Sequence, residues 1–279
     1  MSKERSQKRS TGKLIVHIIL IVGALLMVGP FIWMILTSFM SLGESTRVPP
    51  VIIPAQLRWQ NYQRVFTSFP FMRFYWNTFS TTVMKVAGQV FFCSMAAYAF
   101  ARIRFPGRDF LFVMILSVLM VPSQAYIIPR YLLMARLGWL NTLTALTVPG
   151  LTSSFGTFLL RQFFMSLPTE LEEAATLDGC NHFQIYYKIF APLAKSGMIA
   201  LAIFTALWSW NDLMWPLIVN SSPLKMPLSA GLSSLQGQYG TDFPLLMAGS
   251  LMAIAPMIAM FIVLQNQFVE GIALTGTKG

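Results

Sequence analysis

The residues that decide the fold are Glu173-Ala174-Ala175-Thr176-Leu177-Asp178-Gly179, followed after nine more residues by Ile189-Phe190-Ala191-Pro192. This stretch is polar, and it lies between the fourth and fifth strongly apolar segments of the chain. A polar helix–turn–helix held between two membrane spans indicates a surface on which another protein docks.

Local signals predict where the two helices of this stretch begin and end. Thr169 and Glu172 have the capping-box spacing that starts a helix, and Gly179 is placed to end that helix in a left-handed conformation. A second helix is predicted to begin at Asn181, with Gln184 as its cap partner. Aromatic residues then recur at helical spacing, at Phe183, Tyr186, Tyr187 and Phe190.

Composition places the chain in a membrane. Of its residues, 55% are hydrophobic and only 11% are charged, with a mean hydropathy of +0.61, whereas soluble domains have about 25% charged residues. A helix needs about 20 apolar residues to cross a bilayer. Six spans are predicted: Ile15–Leu36, Asn77–Ala101, Phe110–Ile128, Leu143–Leu160, Met198–Val219 and Leu245–Leu264. The expected fold class is therefore an all-α polytopic membrane protein.

The first span is predicted to stay as an anchor behind a basic tail, residues 1–13. It is longer than the apolar region of about 7–15 residues in a signal peptide, and bulky Phe39-Met40 follows it. With the N-terminus inside, the inner segments hold more Lys and Arg than the outer ones, so both termini are expected in the cytoplasm. The net charge of +10 follows from these membrane loops, and nucleic acid is not an expected partner.

The sequence offers no catalytic or metal-binding constellation. Cys93 and Cys180 have no zinc-site or disulfide spacing, and His17 and His182 fall in different kinds of segment. A G-x-x-x-x-G-K-[ST] phosphate loop is absent from the sequence. We therefore expect no catalytic residue, no metal and no cofactor on this chain.

The docking surface is expected to be small and acidic. Ala174, Ala175 and Gly179 present almost no side chain, so a partner backbone can approach closely, and Glu173 can accept a bidentate arginine. The alternative is an amphipathic helix pair lying on the membrane. An acidic helix is repelled by the anionic inner leaflet, so a protein partner is preferred.

The pattern Glu-Ala-Ala-x-x-x-Gly-x₉-Ile-x-Leu-Pro resembles the EAA loop of permease subunits in binding-protein-dependent ABC importers. One position departs from it, Ala191, where leucine is usual. Further stretches resemble the carbohydrate-uptake branch, in particular the maltose-type second permease. They are Trp210-Asn211-Asp212-Leu213-Met214-Trp215-Pro216-Leu217, Leu245-Leu246-Met247-Ala248-Gly249-Ser250, Phe268-Val269-Glu270-Gly271 and Gly276-Thr277-Lys278-Gly279.

This resemblance implies a type I ABC importer permease fold over residues 14–264, with an EAA coupling loop at 161–197 and a cytoplasmic C-terminal tail at 265–279. The implied partners are a second homologous permease, two ATPase subunits that carry ATP and Mg, an extracytoplasmic sugar-binding protein, and the lipid of a bacterial or archaeal plasma membrane. Residues implied to couple to the ATPase are Glu173, Ala174, Ala175, Asp178, Gly179, Ile189 and Pro192. A second ATPase contact is implied at Gly271, Thr277, Lys278 and Gly279, for which the alternative is a frayed terminus.

The predicted substrate path centres on the fifth span, at Trp210, Asn211, Asp212 and Trp215. A carboxylate inside a span costs about 2.5–3.5 kcal/mol on insertion scales, so it normally faces a bundle interior or water. Pro216 frees the backbone carbonyl four residues before it. The equal alternative is that Asp212 locks span five against a neighbouring helix. Lys85 in span two poses the same question, or it extends outward to the interface.

The segment Asn220–Pro244 is predicted to be a flexible polar outer loop because it contains Gly231, Gly237 and Gly240. By resemblance to maltose-type permeases it would contact the binding protein through Gln236, Gly237 and Tyr239.

Three alternatives remain. A permease of the same family could carry glycerol phosphate or a polyol. A free-standing secondary transporter would show paired internal repeats, which are not evident. An intramembrane enzyme would pair a nucleophile with a base within the spans, and no span does so.

Overall fold

The computed structural model describes the backbone of residues 2–237 and 240–276, and the side chains of 13, 16–237 and 240–265. Its helices are α1 Ser2–Ser38, α2 Leu42–Ser45, α3 Gln60–Ser68, α4 Phe71–Arg102, α5 Arg108–Leu119, α6 Ile127–Arg136, α7 Leu143–Thr147, α8 Ser154–Ser166, α9 Glu170–Leu177, α10 His182–Ile185, α11 Ala191–Leu193, α12 Lys195–Trp210, α13 Met214–Val219, α14 Leu228–Ser233 and α15 Phe243–Gly276. Three 3₁₀ turns lie at Ser123–Tyr126, Val148–Gly150 and Pro223–Lys225, and a π-helical segment at Tyr186–Phe190. Two short strands, β1 Gln236–Gly237 and β2 Gly240–Thr241, pair antiparallel.

The described helices include four membrane spans, or up to six if each bent pair of helices is one span. Four segments are each long and apolar enough to cross a bilayer: Val16–Ser38, Phe71–Arg102, Leu143–Ser166 and Phe243–Gln265. Two bent pairs also qualify, Arg108–Leu119 with Ser123–Arg136 (99°) and His182–Leu193 with Lys195–Trp210 (75°). Counting each bent pair as one span gives six, although the second pair begins at His182, within the predicted 161–197 loop, and overlaps the predicted fifth span only over 198–210.

Two spans are not the straight helices that apolar length predicted. The third, expected over 110–128, ends at Leu119 and turns through 99° at Pro122, which cannot continue a helix. The fifth, expected over 198–219, stops at Trp210 and resumes at Met214. Pro216 has no N–H for the carbonyl of Asp212, and that carbonyl instead accepts a hydrogen bond of 2.5 Å from the Ser229 hydroxyl. The freed carbonyl predicted from Pro216 is thus accounted for.

The chain divides into two compact units, Met1–Phe69 with Ser234–Ile254, and Pro70–Ser233 with Ala255–Gly279. In the second unit, α4 packs along α8 and α12. Aromatic and aliphatic side chains fill the space between these helices, because an apolar interior is stabilised by close packing. The cluster is built from Cys93, Ala97, Tyr98, Leu159, Leu160, Phe164, Ala175, Ile185, Phe190, Ala194 and Leu201.

In the first unit, polar contacts order the segment that follows α1. Asn61 is buried and donates hydrogen bonds to the carbonyls of Ser38 and Met40, at 2.8 and 2.9 Å. Arg64 forms a 2.7 Å ion pair with Asp242, just before α15. The Glu44 carboxylate accepts from the backbone and hydroxyl of Ser41 and from the backbone of Ala55.

The prediction of a flexible loop at 220–244 is wrong for the first half of this segment. Asn77 donates to the carbonyls of Leu224 and Met226, and the hydroxyl of Thr78 accepts from the backbone of Leu228 at 2.7 Å. Gly231 is buried against α4, and a Cβ there would come within 2.3 Å of the Phe74 ring. This glycine therefore permits close packing, not flexibility.

Candidate functional site

The 161–197 loop folds as a helix–turn–helix, as predicted, but its first cap differs. The side chain of Thr169 makes no cap hydrogen bond, so the capping box predicted there is wrong. The Thr169 carbonyl instead accepts from the backbone N–H groups of Glu172 and Glu173. Gly179 has a left-handed φ of +78°, and Asn181 forms the predicted capping box with Gln184, with both bonds at 2.9 Å.

The two faces of α9 have different environments. Glu173, Ala174, Asp178 and Gly179 are exposed, and Leu177 is 90% exposed. Ala175 is 5% exposed and packs into the apolar cluster. The expectation that Ala175 faces a partner is therefore corrected, since a helix with one apolar face buries that face against its own protein. The exposed residues form an acidic surface with one protruding leucine.

Arg102, at the end of α4, attaches this loop to the bundle. Its side chain is 5% exposed, and it donates hydrogen bonds to the carbonyls of Phe164 and Leu167. Its guanidinium also lies 3.8 Å from the carboxylate of Glu172 and 4.7 Å from the ring centroid of Phe190. Sequence reasoning missed this residue because an arginine at a span end is expected to face water or lipid headgroups.

The second helix of the loop contains an irregularity that its aromatic spacing did not predict. Tyr186–Phe190 is π-helical, a form that occurs mostly as single turns and often at functional sites. The Tyr186 hydroxyl hydrogen-bonds to Ser94 of α4 at 2.7 Å, and Phe190 is buried. Ile189 packs against the same cluster, whereas Pro192 is exposed.

A cleft of about 660 Å³ lies between α9 and the end of α4. It is lined by Ala101, Arg102, Arg104, Arg108, Thr169, Glu172, Glu173, Thr176 and Leu177. Because the lining holds both charge signs beside Leu177, the cleft suits a protein segment with a mixed polar and apolar surface.

At the break in the fifth span, Asp212 and Lys85 form an ion pair of 3.6 Å. The Lys85 side chain is 11% exposed and its stem packs along Gly150, so it does not extend outward. Polar contacts continue along α4: Thr82 with Ser209, and Gln89 with Thr205 and with the carbonyl of Gly150. Both alternatives for Asp212 thus remain compatible with its position, since it contacts Lys85 and is still partly open.

The other residues of the predicted path differ in exposure. The Asn211 amide is exposed and donates to the Leu207 carbonyl. Trp210 is 7% exposed, and Trp215 is 4% exposed with its indole N–H donating to the Ala145 carbonyl at 2.9 Å. Both indoles are occupied by packing within this chain.

The remaining predicted contacts are placed only in part. Gln236 and Gly237 lie in the β1–β2 hairpin, and both are exposed. Gly271 falls within α15. Tyr239, Thr277, Lys278 and Gly279 lie outside the described residues. Within the described part of the chain, no group of three or more His, Cys, Asp or Glu could hold a metal ion.

The fold and motifs match a known protein family. Residues 89–268 match the model of the "binding-protein-dependent transport system inner membrane component" family. The chain belongs to this family. The resemblance found in the EAA motif is confirmed, and members of this family are membrane-embedded ABC importer permeases, whose ATPase is a separate subunit. As a member of this family, the chain works with a partner permease, an ATPase and a binding protein.

Relatives match over nearly their whole length. An arabinooligosaccharides transport system permease of Halalkalibacterium halodurans is 36% identical over 92% of this chain and 93% of its own. An sn-glycerol-3-phosphate transport system permease of Yersinia enterocolitica is 32% identical over 92% and 94%. A chain from the crystal structure of a bacterial ABC transporter that imports the acidic polysaccharide alginate superposes with a TM-score of 0.83, at 26% identity over 91% and 95%.

Proposed function

We propose that this chain and a second, homologous permease form the translocation path of an ATP-driven importer of a carbohydrate or of a related solute such as a glycerol phosphate. The relatives just described transport solutes of these kinds. The chain binds no cofactor of its own in this scheme, because ATP and Mg are held by two ATPase subunits. Both termini, with the basic tail 1–13 and the tail 265–279, lie in the cytoplasm.

The observation that carries this proposal is the construction of the 161–197 loop. Its outward face presents Glu173, Leu177 and Asp178, while its inward face is held by Arg102 and by the apolar cluster. A docked ATPase can therefore push on a rigid element that is attached to α4 and α8. Gly271, Thr277, Lys278 and Gly279 would add a second contact to the ATPase.

Outside the membrane, the binding protein would deliver its ligand to the 220–244 loop, with Gln236, Gly237 and Tyr239 as contacts. The solute would then pass the break in span five near Asn211 and Asp212. Buried Trp210 and Trp215 would support the backbone on either side of this break and so shape the translocation path.

Reconstitution tests the proposal. The purified chain in proteoliposomes is expected to hydrolyse no ATP, and ATP-driven uptake of arabinooligosaccharide or glycerol 3-phosphate is expected only when the partner permease, the ATPase and the binding protein are present. Uptake by the chain without the ATPase would show a secondary transporter and overturn the proposal.

A further inference from the structure

A second cation lies beside the Lys85–Asp212 ion pair. Arg130, on α6, places its guanidinium 4.0 Å from the ring centroid of Trp215, at the start of α13. Asp212 acts electrostatically on both Arg130 and Lys85. Charged side chains from α4, from α6 and from the break itself are thus brought together at the break in span five.

Their charges do not balance. Lys85 and Arg130 contribute two positive charges and Asp212 one negative charge, so one positive charge remains. Asp212 is paired with Lys85 at 3.6 Å. Among the residues that the structure describes, no ion pair includes Arg130, and its Nε is buried without a hydrogen-bond partner.

The surplus cation is held in a fixed orientation. The Trp215 indole covers one face of the guanidinium, and the indole itself is fixed by its bond to Ala145. A guanidinium constrained in this way presents a planar fork of donors that matches a carboxylate or phosphate bidentately.

A neutral sugar does not need this arrangement. Hydroxyl groups are bound well by amides, carboxylates and indoles, and a charge within a membrane protein is costly unless it is paired. A surplus arginine at a break in a span is stabilised when an anion arrives. We infer that Arg130 is a binding residue for the anionic group of the transported solute, so that the substrate class is an acidic sugar or a sugar or polyol phosphate.

This inference rests on the proposed importer function, and the test separates the two. The chain is reconstituted with its partner permease, ATPase and binding protein, and ATPase stimulation is measured with matched solute pairs. The anionic members are digalacturonate and glycerol 3-phosphate, and the neutral members are galactobiose and glycerol. The variants are Arg130→Gln and Arg130→Lys, with Arg136→Gln as the matched control on the exposed end of the same helix.

The expected result is stimulation by an anionic member only. Arg130→Gln should lower this stimulation about tenfold or more, Arg130→Lys less so because it keeps the charge but loses the fork, and Arg136→Gln not at all. Stimulation by a neutral member that Arg130→Gln leaves unchanged would overturn the inference and keep the importer. Loss of assembly with the partner permease in Arg130→Gln would also overturn it, because Arg130 would then pair with a partner carboxylate. No stimulation by any of these solutes would count against both the inference and the proposed substrate range.

Discussion

The guanidinium of Arg102 and the carboxylate of Glu172 lie 3.8 Å apart, where the end of α4 meets the first helix of the 161–197 loop. The neighbouring residue Glu173 lines the same cleft, but it is exposed, whereas Glu172 is half-buried. Two adjacent glutamates therefore have different roles: Glu172 fixes the loop to the bundle, and Glu173 is available to a partner.

Replacing Arg102 with glutamine is expected to loosen the loop. The change removes the guanidinium hydrogen bonds to the carbonyls of Phe164 and Leu167 and the ion pair with Glu172. The loss of a partner to a buried polar group costs about 1–3 kcal/mol. A loss of about 2 kcal/mol corresponds to a fall of about 4–8 °C in the unfolding midpoint of a protein of this size. Thermal unfolding of the purified chain in detergent measures this fall, and ATPase stimulation in the assembled transporter should drop with it.

The control for Arg102 is Arg104→Gln, which removes an exposed arginine two residues later. It should leave the unfolding midpoint within about 1–2 °C of the wild type, because surface substitutions rarely cost more than about 0.5 kcal/mol. Equal midpoints for the two variants would show that Arg102 does not hold the loop.

Replacing Glu173 with lysine is expected to weaken binding of the ATPase. A charge-assisted contact is worth about 1.5–3 kcal/mol, and the lysine makes it repulsive. Gly179→Val should also weaken binding, since a left-handed φ disfavours a branched residue by about 1–2 kcal/mol. Recovery of the ATPase in pull-downs from solubilised membranes measures both effects.

Gly138→Val is the matched control for Gly179→Val. Gly138 also has a positive φ, +67°, and open space around it, but it follows α6, away from the loop. It should carry the same backbone strain and leave ATPase recovery unchanged. If both glycine variants lose the ATPase equally, instability and not docking explains the loss.

Removing the β1–β2 hairpin, residues 236–241, is expected to spare assembly. The hairpin residues that the structure describes are exposed or half-buried, whereas α14 is held by α4. Stimulation of ATPase activity by liganded binding protein should fall, because the contact that signals ligand delivery is lost. Unchanged stimulation of ATPase activity by the binding protein in proteoliposomes would show that the hairpin only connects α14 to α15.

In contrast to removal of the hairpin, Gly231→Ala is expected to destabilise the fold. The added Cβ would lie 2.3 Å from the buried Phe74 ring, and overpacking of this kind costs about 1–3 kcal/mol. The unfolding midpoint should fall even though the hairpin is intact. Gly43→Ala, which meets nothing within 4 Å, should leave the midpoint unchanged.

Glu44 is expected to keep the segment after α1 ordered into strong acid. Hydrogen bonds from Ser41 and Ala55 lower the pKa of Glu44 to about 2 from 4.5. A lowered pKa in the folded state stabilises the fold above about pH 4.5, and this stabilisation is lost as the pH falls towards about 2. Cleavage by pepsin, which is active over this range, should therefore increase progressively in the wild type as the pH falls from about 4.5 to about 2.

The Glu44→Gln variant separates this effect from general acid unfolding. It cannot ionise, so its cleavage near Leu42 and Leu57 should be faster than in the wild type at pH 4.5 and should converge with it near pH 2. Identical profiles for the two proteins would show that the Glu44 carboxylate does not order the segment.

The sequence by itself determined the apolar segments, the family and several local features, but not the breaks in the third and fifth spans. Membrane-spanning segments can be recognised in the sequence because a helix needs a long run of apolar residues to cross the hydrocarbon core of the bilayer. The Asn181–Gln184 box and the Gly179 turn form as predicted because each depends on groups within a few residues of one another. Thr169 shows the limit even there, since its backbone rather than its side chain receives the first N–H groups of α9.

Only the tertiary structure decided which residues meet across the fold. Whether Ala175 faces a partner or the core, whether Gly231 bends or packs, and whether Lys85 extends outward or pairs with Asp212 depend on which helix faces come together. Arg102 and Arg130 look alike in the sequence, yet one is satisfied by two carbonyls and a carboxylate while the other keeps a buried Nε without a partner. Long-range pairing of charges is set by packing, and local sequence does not specify it.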